Sequence, residues 1–178
     1  AISAEGILLL HKAIGESVAH ARENETDEIL AFATSAVRDA KNGTAIIAEI
    51  NEKHGIELEI LEGDEEATMT FLAVRRWLGW SAGKLLVLDI GGGSLEVAAG
   101  VDENPEATLS LPLGAARLTR EFLSGDPYSS KSLKSLEKHV EESLSNSLPK
   151  ILKSHDANHF VATSKTFRTL ARITANWY

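Results

Sequence analysis

Apolar residues recur at helical spacing along the first stretch of the chain. Ile7, Leu10, Ile14, Val18 and Ala21 fall on one side of a helix predicted over 3–22, with Ser3 placed to cap it. The run EILAFAT at 28–34 is short and apolar and predicts a buried strand. Residues 35–43 turn away from it, and 44–54 return as a helix that His54-Gly55 closes. IELEIL at 56–61 alternates and predicts a second strand. Gly63-Asp64 then opens a helix to about Leu78. Asp64, Glu65 and Glu66 lie in its first turn, where the helix dipole favours anions. Helix, strand, helix, strand, helix is the order of a parallel α/β arrangement.

The segment GWSAGK at 79–84 interrupts the pattern with two glycines and marks a boundary between 1–80 and 81–178. Strands predicted at 85–89, 95–101 and 107–112 follow one another through short turns, as in an antiparallel meander. A helix over 115–123 follows Pro112 and Gly114, and SGDPYSS reads as a loop. Residues 130–154 predict a long helix with Leu133, Leu136, Val140, Leu144, Leu148 and Ile151 on one face, which Pro149 should kink or interrupt. HFVAT at 159–163 is a last strand and 165–175 a last helix.

Composition narrows the function classes. The chain has 178 residues, enough for one large domain or two small ones. With 18 basic and 26 acidic residues its net charge is −8, which does not advertise binding to a nucleic acid polymer. A polyanion would have to be held by a few placed cations, backbone N–H groups or a metal. No apolar run approaches the roughly 20 residues of a membrane span, and no signal peptide is visible at the start. There is no cysteine, which excludes disulfides and thiolate metal sites and fits a cytoplasmic location.

The stretch LLVLDIGGGSLEVAAG at 85–100 carries the chemistry. An apolar strand ends in Asp89; Gly91, Gly92, Gly93, Ser94 and Glu96 follow, and the chain turns apolar again. Glycine admits positive φ and lets a ligand approach without a Cβ in the way, and successive N–H groups in such a turn form an anion nest. An aspartate at the strand end can hold a hydrated divalent cation, and Ser94 offers a hydroxyl to a phosphate oxygen. The loop therefore reads as a phosphate site with a metal beside it. A Walker loop needs a lysine that does not follow here, and a dinucleotide fingerprint needs glycine where Glu96 stands. A plain glycine hairpin is the structural alternative.

LDIGGGSLEVAAG resembles the second phosphate loop of the actin-like ATPase superfamily, most closely that of the exopolyphosphatase and guanosine-pentaphosphate phosphatase family (Ppx/GppA). FATSAVRDAKN at 32–42 is similar to that family's A-T-S-A-x-R-x-A-x-N segment, and EILEGDEEATMTFLAV at 59–74 to its I-x-G-x-E-E-A helix start. LSLPLGAARLTREFL at 109–123 resembles its S-x-P-x-G-x-x-R-L step, and VATSKTFRTLARI at 161–173 its late T/S-T-x-x-x-L-A segment. The wording at 32–42 and 161–173 is similar to the actinobacterial branch. The resemblance covers essentially the whole chain in order. It implies an α/β fold of the actin-like ATPase (ribonuclease H-like) type, with 1–80 the C-terminal part of lobe I and 81–178 the N-terminal part of lobe II.

The resemblance also implies roles. Glu66 matches the catalytic glutamate that orients and deprotonates water, with Glu65 as its rival. Asp89 and Glu96 match metal-associated carboxylates, for Mg²⁺ or another divalent cation. Gly91, Gly92, Gly93 and Ser94 match the phosphate loop. Arg38, with Thr34 and Ser35 beside it, aligns with a phosphate-contacting arginine, and Arg117 is a candidate second cation. Leu95 departs from the family, which usually has threonine there. The family's first phosphate loop, D-x-G-S-N, does not occur, so the chain reads as the central part of a longer enzyme whose isolated fragment is expected to be inactive.

The resulting expectation is a phosphohydrolase that releases terminal orthophosphate from inorganic polyphosphate or guanosine pentaphosphate. A nucleotide-binding ATPase or kinase, and a non-catalytic phosphate-sensing module, are the alternatives. An unpaired sheet edge would invite a homodimer. His155 and His159 straddle a loop-to-strand step and do not read as metal ligands; Trp77 and Trp80 read as packing.

Overall fold

The computed structural model describes residues 1–148, 152 and 156–175. The expectations at Pro149, Ile151 and His155 lie outside the described residues. The chain forms two compact units, Ala1–Glu62 and Gly63–Tyr178.

In the first unit, α1 (Ala4–Glu23) starts at Ser3, whose Oγ accepts from the Gly6 amide at 3.1 Å. Strands β1 (Ala31–Ala33) and β2 (Leu58–Ile60) pair in parallel, Ala31 opposite Leu58. Both are shorter than the runs at 28–34 and 56–61. The chain coils directly out of β1 into α2 (Ser35–Arg38), where the Val37 and Arg38 amides donate to the Thr34 carbonyl at 3.0 Å. The next helix, α3 (Gly43–His54), ends on Gly55 at φ 63, a left-handed conformation that glycine adopts without Cβ strain. Ala33, Ile46, Ile50 and Leu58 form this unit's core. His11 is buried beside it and bridges two groups of α3: Nδ1 is 3.0 Å from His54 Nε2 and Nε2 is 3.0 Å from Glu49.

The second unit opens with α4 (Gly63–Leu78) and a single 3₁₀ turn, Trp80–Ala82. A four-stranded sheet follows: β3 (Leu85–Ile90), β4 (Leu95–Gly100), β5 (Ala107–Leu111) and β6 (His159–Thr163), in the spatial order β5-β4-β3-β6. The first three strands are the expected antiparallel meander, and β6 joins β3 in parallel. Helices α5 (Ala115–Phe122), α6 (Ser130–Ser147) and α7 (Ser164–Ala175) also belong to the unit. Leu148, just after α6, is extended at φ −64 and ψ 115, as the residue before a proline prefers.

Strand alternation explains the layers. Leu85, Val87 and Ala98 pack with Ala67, Phe71 and Val74 of α4 on one face. Leu86, Leu88, Leu95 and Val97 point the other way, toward Leu118 of α5 and Val140 and Leu144 of α6. Phe71 and Leu85 are fully buried, each stabilising the unit by about 1.5–3 kcal/mol. Covered on both faces, β4 is buried at all six positions. Packing divides the chain at Glu62–Gly63, ahead of the glycines at 79–84, because the apolar side of α4 is spent on this sheet.

Candidate functional site

One charged residue lies on the wholly buried strand β4, and that residue is Glu96, only 5% exposed. The register shows what keeps it company. Asp89 of β3 is its partner across the antiparallel pair, Ser110 of β5 flanks it on the other side, and Thr163 of β6 flanks Asp89. Residues directly opposite in a sheet share a face. Ser110, Glu96, Asp89 and Thr163 therefore form one polar rung across all four strands, on the face that carries α4. The rung is hydrogen-bonded at both ends. Ser110 Oγ donates to Glu96 Oε1 at 3.1 Å, and Thr163 Oγ1 donates to Asp89 Oδ2 at 2.8 Å.

Burial pushes the Glu96 carboxyl above the ordinary carboxylate range. Hydrogen bonds from Ser94 and Ser110 pull the other way, and the charges of Glu66 and Asp89 add to the rise. Glu66 is thus close enough to act electrostatically on the rung. It is half-buried in the first turn of α4, whereas Glu65 is exposed. The structure brings Glu66, Asp89 and Glu96 together. Among the described residues no group of three or more histidines, aspartates or glutamates is arranged to hold a metal ion.

One residue pair beyond the rung, the glycine loop joins β3 to β4. The Gly91 amide donates to the Ser94 carbonyl at 3.0 Å and closes a tight turn between Ile90 and Leu95. None of the three loop glycines lies in the left-handed region that glycine admits. Nor does internal packing require glycine at 91 or 92: a Cβ would come no nearer than 3.6 Å and 3.9 Å to its neighbours. Both positions therefore leave room for a group approaching from outside. Among the described residues the Gly92 and Gly93 amides donate no hydrogen bond. A cavity of about 440 Å³ adjoins the loop, lined among others by Gly91, Gly92, Ala115, Ser164 and Lys165.

Other expected residues serve the loop itself. The Ser94 hydroxyl is buried and engaged with Glu96, so it is not turned to a ligand. The Arg117 amide donates to the Gly92 carbonyl at 3.0 Å and its Nε to the Gly93 carbonyl at 2.8 Å, which braces the loop from α5. Gly114 is needed for space: a Cβ there would stand 2.3–2.4 Å from the backbone of Gly93 and Ser94. Thr34, Ser35 and Arg38 belong to the first unit. Thr34 is exposed, Ser35 is buried, and half-buried Arg38 donates from Nη1 to the Leu61 carbonyl and lies 3.7 Å from Asp39.

Sequence reading did not single out Ser110, Thr163, Ser164 or Gly114 as parts of the site. The available signal was a polar residue at an inward strand position, as in LSL at 109–111 and VAT at 161–163.

Set against known proteins, residues 1–177 match the Ppx/GppA phosphatase family profile. Exopolyphosphatase 1 of Mycobacterium tuberculosis (strain ATCC 25618 / H37Rv) is 53% identical over 147 residues, 83% of this chain and 43% of that protein. Exopolyphosphatase 1 of Mycobacterium leprae (strain TN) is 49% identical over 161 residues, 90% of this chain and 48% of that protein. An exopolyphosphatase structure from Cytophaga hutchinsonii matches 98% of this chain with a TM-score of 0.87 at 25% identity, over 55% of its own length. The Aquifex aeolicus Ppx/GppA enzyme matches 98% with a TM-score of 0.77 at 26% identity, over 56% of its length. The chain spans about half the length of the curated relatives it matches.

Proposed function

The chain belongs to the Ppx/GppA phosphatase family and has its α/β, actin-like ATPase (ribonuclease H-like) fold, and from that premise we propose that it supplies parts of both lobes of an exopolyphosphatase-type phosphohydrolase. The substrate is a chain of phosphoanhydrides, inorganic polyphosphate or guanosine pentaphosphate, and the product is its terminal orthophosphate.

The observation that carries this reading is the opposed pair Asp89 and Glu96, with Glu66 in electrostatic reach, beside a loop whose Gly91 and Gly92 neither φ nor packing demands. Glu66 takes the proton of the attacking water, being half-buried and in electrostatic reach of the rung. The Gly92 and Gly93 amides meet the phosphate oxygens on which charge develops. Arg117 holds those amides in place; for Arg38, Thr34 and Ser35 of the first unit a phosphate-contacting role rests on the resemblance alone. A divalent cation of the Mg²⁺ kind needs only one or two protein carboxylates beside substrate phosphate and water. Asp89 and Glu96, opposite one another on the rung, fit that donor set. Such an ion would neutralise charge on the phosphate.

The test is orthophosphate release from polyphosphate with Mg²⁺. This chain is compared with a form extended to the length of its relatives and carrying the family's first phosphate loop. Release by the extended form, with loss in its Glu66→Gln variant, supports the reading. Binding of the polymer without release, from polyphosphate and from guanosine pentaphosphate alike, sinks it in favour of a sensing module.

A further inference from the structure

We propose that Thr163 and Ser164 are positioning residues that lock the reactive end of β3, the Asp89 side chain and the root of the glycine loop, into one conformation. Three observations converge. Thr163 Oγ1 donates to Asp89 Oδ2 at 2.8 Å, with a longer contact of 3.3 Å to the Leu88 carbonyl. Its neighbour Ser164 donates to the Ile90 carbonyl at 2.8 Å, immediately before the glycines. Two consecutive hydroxyls therefore grip consecutive residues of β3.

The third observation is strain. Ser164 sits at φ 84, a left-handed conformation that a residue with a Cβ rarely adopts. Such a conformation persists only where its surroundings over-determine it, and it concentrates at working sites. Here it turns the chain from β6 into α7 within a single residue. That turn lets Thr163 end the parallel pairing with β3 while Ser164 reaches the next carbonyl.

The chemical consequence concerns Asp89. A carboxylate on a strand end has two oxygens and a free χ2 rotation. With Oδ2 accepting from Thr163, Oδ1 is the oxygen left for a ligand. Valine at 163 keeps the shape and removes the donor; serine keeps the donor and removes the methyl.

The inference rests on the proposed role of Asp89 in hydrolysis, and the experiment separates the two. Orthophosphate release by the extended protein is measured for the parent and for Thr163→Val, Thr163→Ser and Asp89→Asn, with crystal structures of the parent and Thr163→Val. The expected result is a kcat about 10- to 100-fold lower in Thr163→Val, with KM changed less than threefold. Thr163→Ser should recover most of it. A Thr163→Val enzyme with parental kcat while Asp89→Asn is inactive overturns the inference and leaves the proposed function standing. If Asp89→Asn keeps the parental kcat, the hydrolytic reading of Asp89 fails, and the structures decide the positioning role. An Asp89 carboxylate turned off the rung in Thr163→Val supports it, and an unmoved one overturns it.

Discussion

Glu96 shows how a single carboxylate ties stability to pH. Its folded-state pKa lies above the ordinary value, so between the two values the folded chain holds more protons than the unfolded one. Unfolding free energy then falls as pH rises through that window and is greatest below it. Replacing Glu96 with glutamine removes this slope. In denaturation series from about pH 4 to about pH 7, the variant should gain on the parent as pH rises; a constant difference would contradict the burial argument. Glu66→Gln should lower kcat of the extended protein by about 10²- to 10⁴-fold, the range of a general base, with little change in KM. Gly92→Ala separates folding from function. The added methyl has room and no φ penalty, so thermal stability should stay within about 0.5 kcal/mol, while phosphate binding weakens severalfold. A stability loss without a binding defect would mean that the glycine serves packing instead.

At the level of elements, the step from β5 into α5 and the glycine loop behave as one piece. Gly114 touches the loop backbone and Arg117 holds two of its carbonyls. Gly114→Ala should therefore cost about 1–3 kcal/mol through overpacking, seen as a lower denaturation midpoint, although the φ of −73 suits alanine well. Arg75 offers a second case. It reads in sequence like its neighbour Arg76, yet it is 1% exposed, while Arg76 reaches Glu103 at the surface. From inside, Arg75 donates to the carbonyls of Gly79, Gly83 and Gly100 and pins the 3₁₀ turn to the end of β4.

For the whole molecule, what sequence could show depended on distance along the chain. Periodic apolar spacing placed α1, the His54-Gly55 stop placed α3, the acidic first turn after Gly63 placed α4, and the meander followed from three strands joined by short turns. The glycine stretch pointed to the site because its composition is local. The polar rung did not show itself, because Asp89 and Thr163 meet only through a pairing of β3 with β6 that spans 74 residues. Arg75 escaped for a different reason: two of its three carbonyls are only four and eight residues away, but nothing in the sequence turns its side chain inward and that of Arg76 outward. The short β1 and β2 differ from the longer apolar runs because pairing, which an apolar run does not encode, sets where a strand ends.

The parallel docking of β6 against β3 has a consequence in time as well as space. Closing so long a loop is entropically costly and comes late in folding. The hairpin of β3 and β4 is local, so Asp89 and Glu96 face each other early, whereas the hydroxyls of Thr163 and Ser164 arrive only with β6. A chain emerging during synthesis would therefore hold its carboxylate pair well before the grip that orients it. Competence would wait on the arrival of β6.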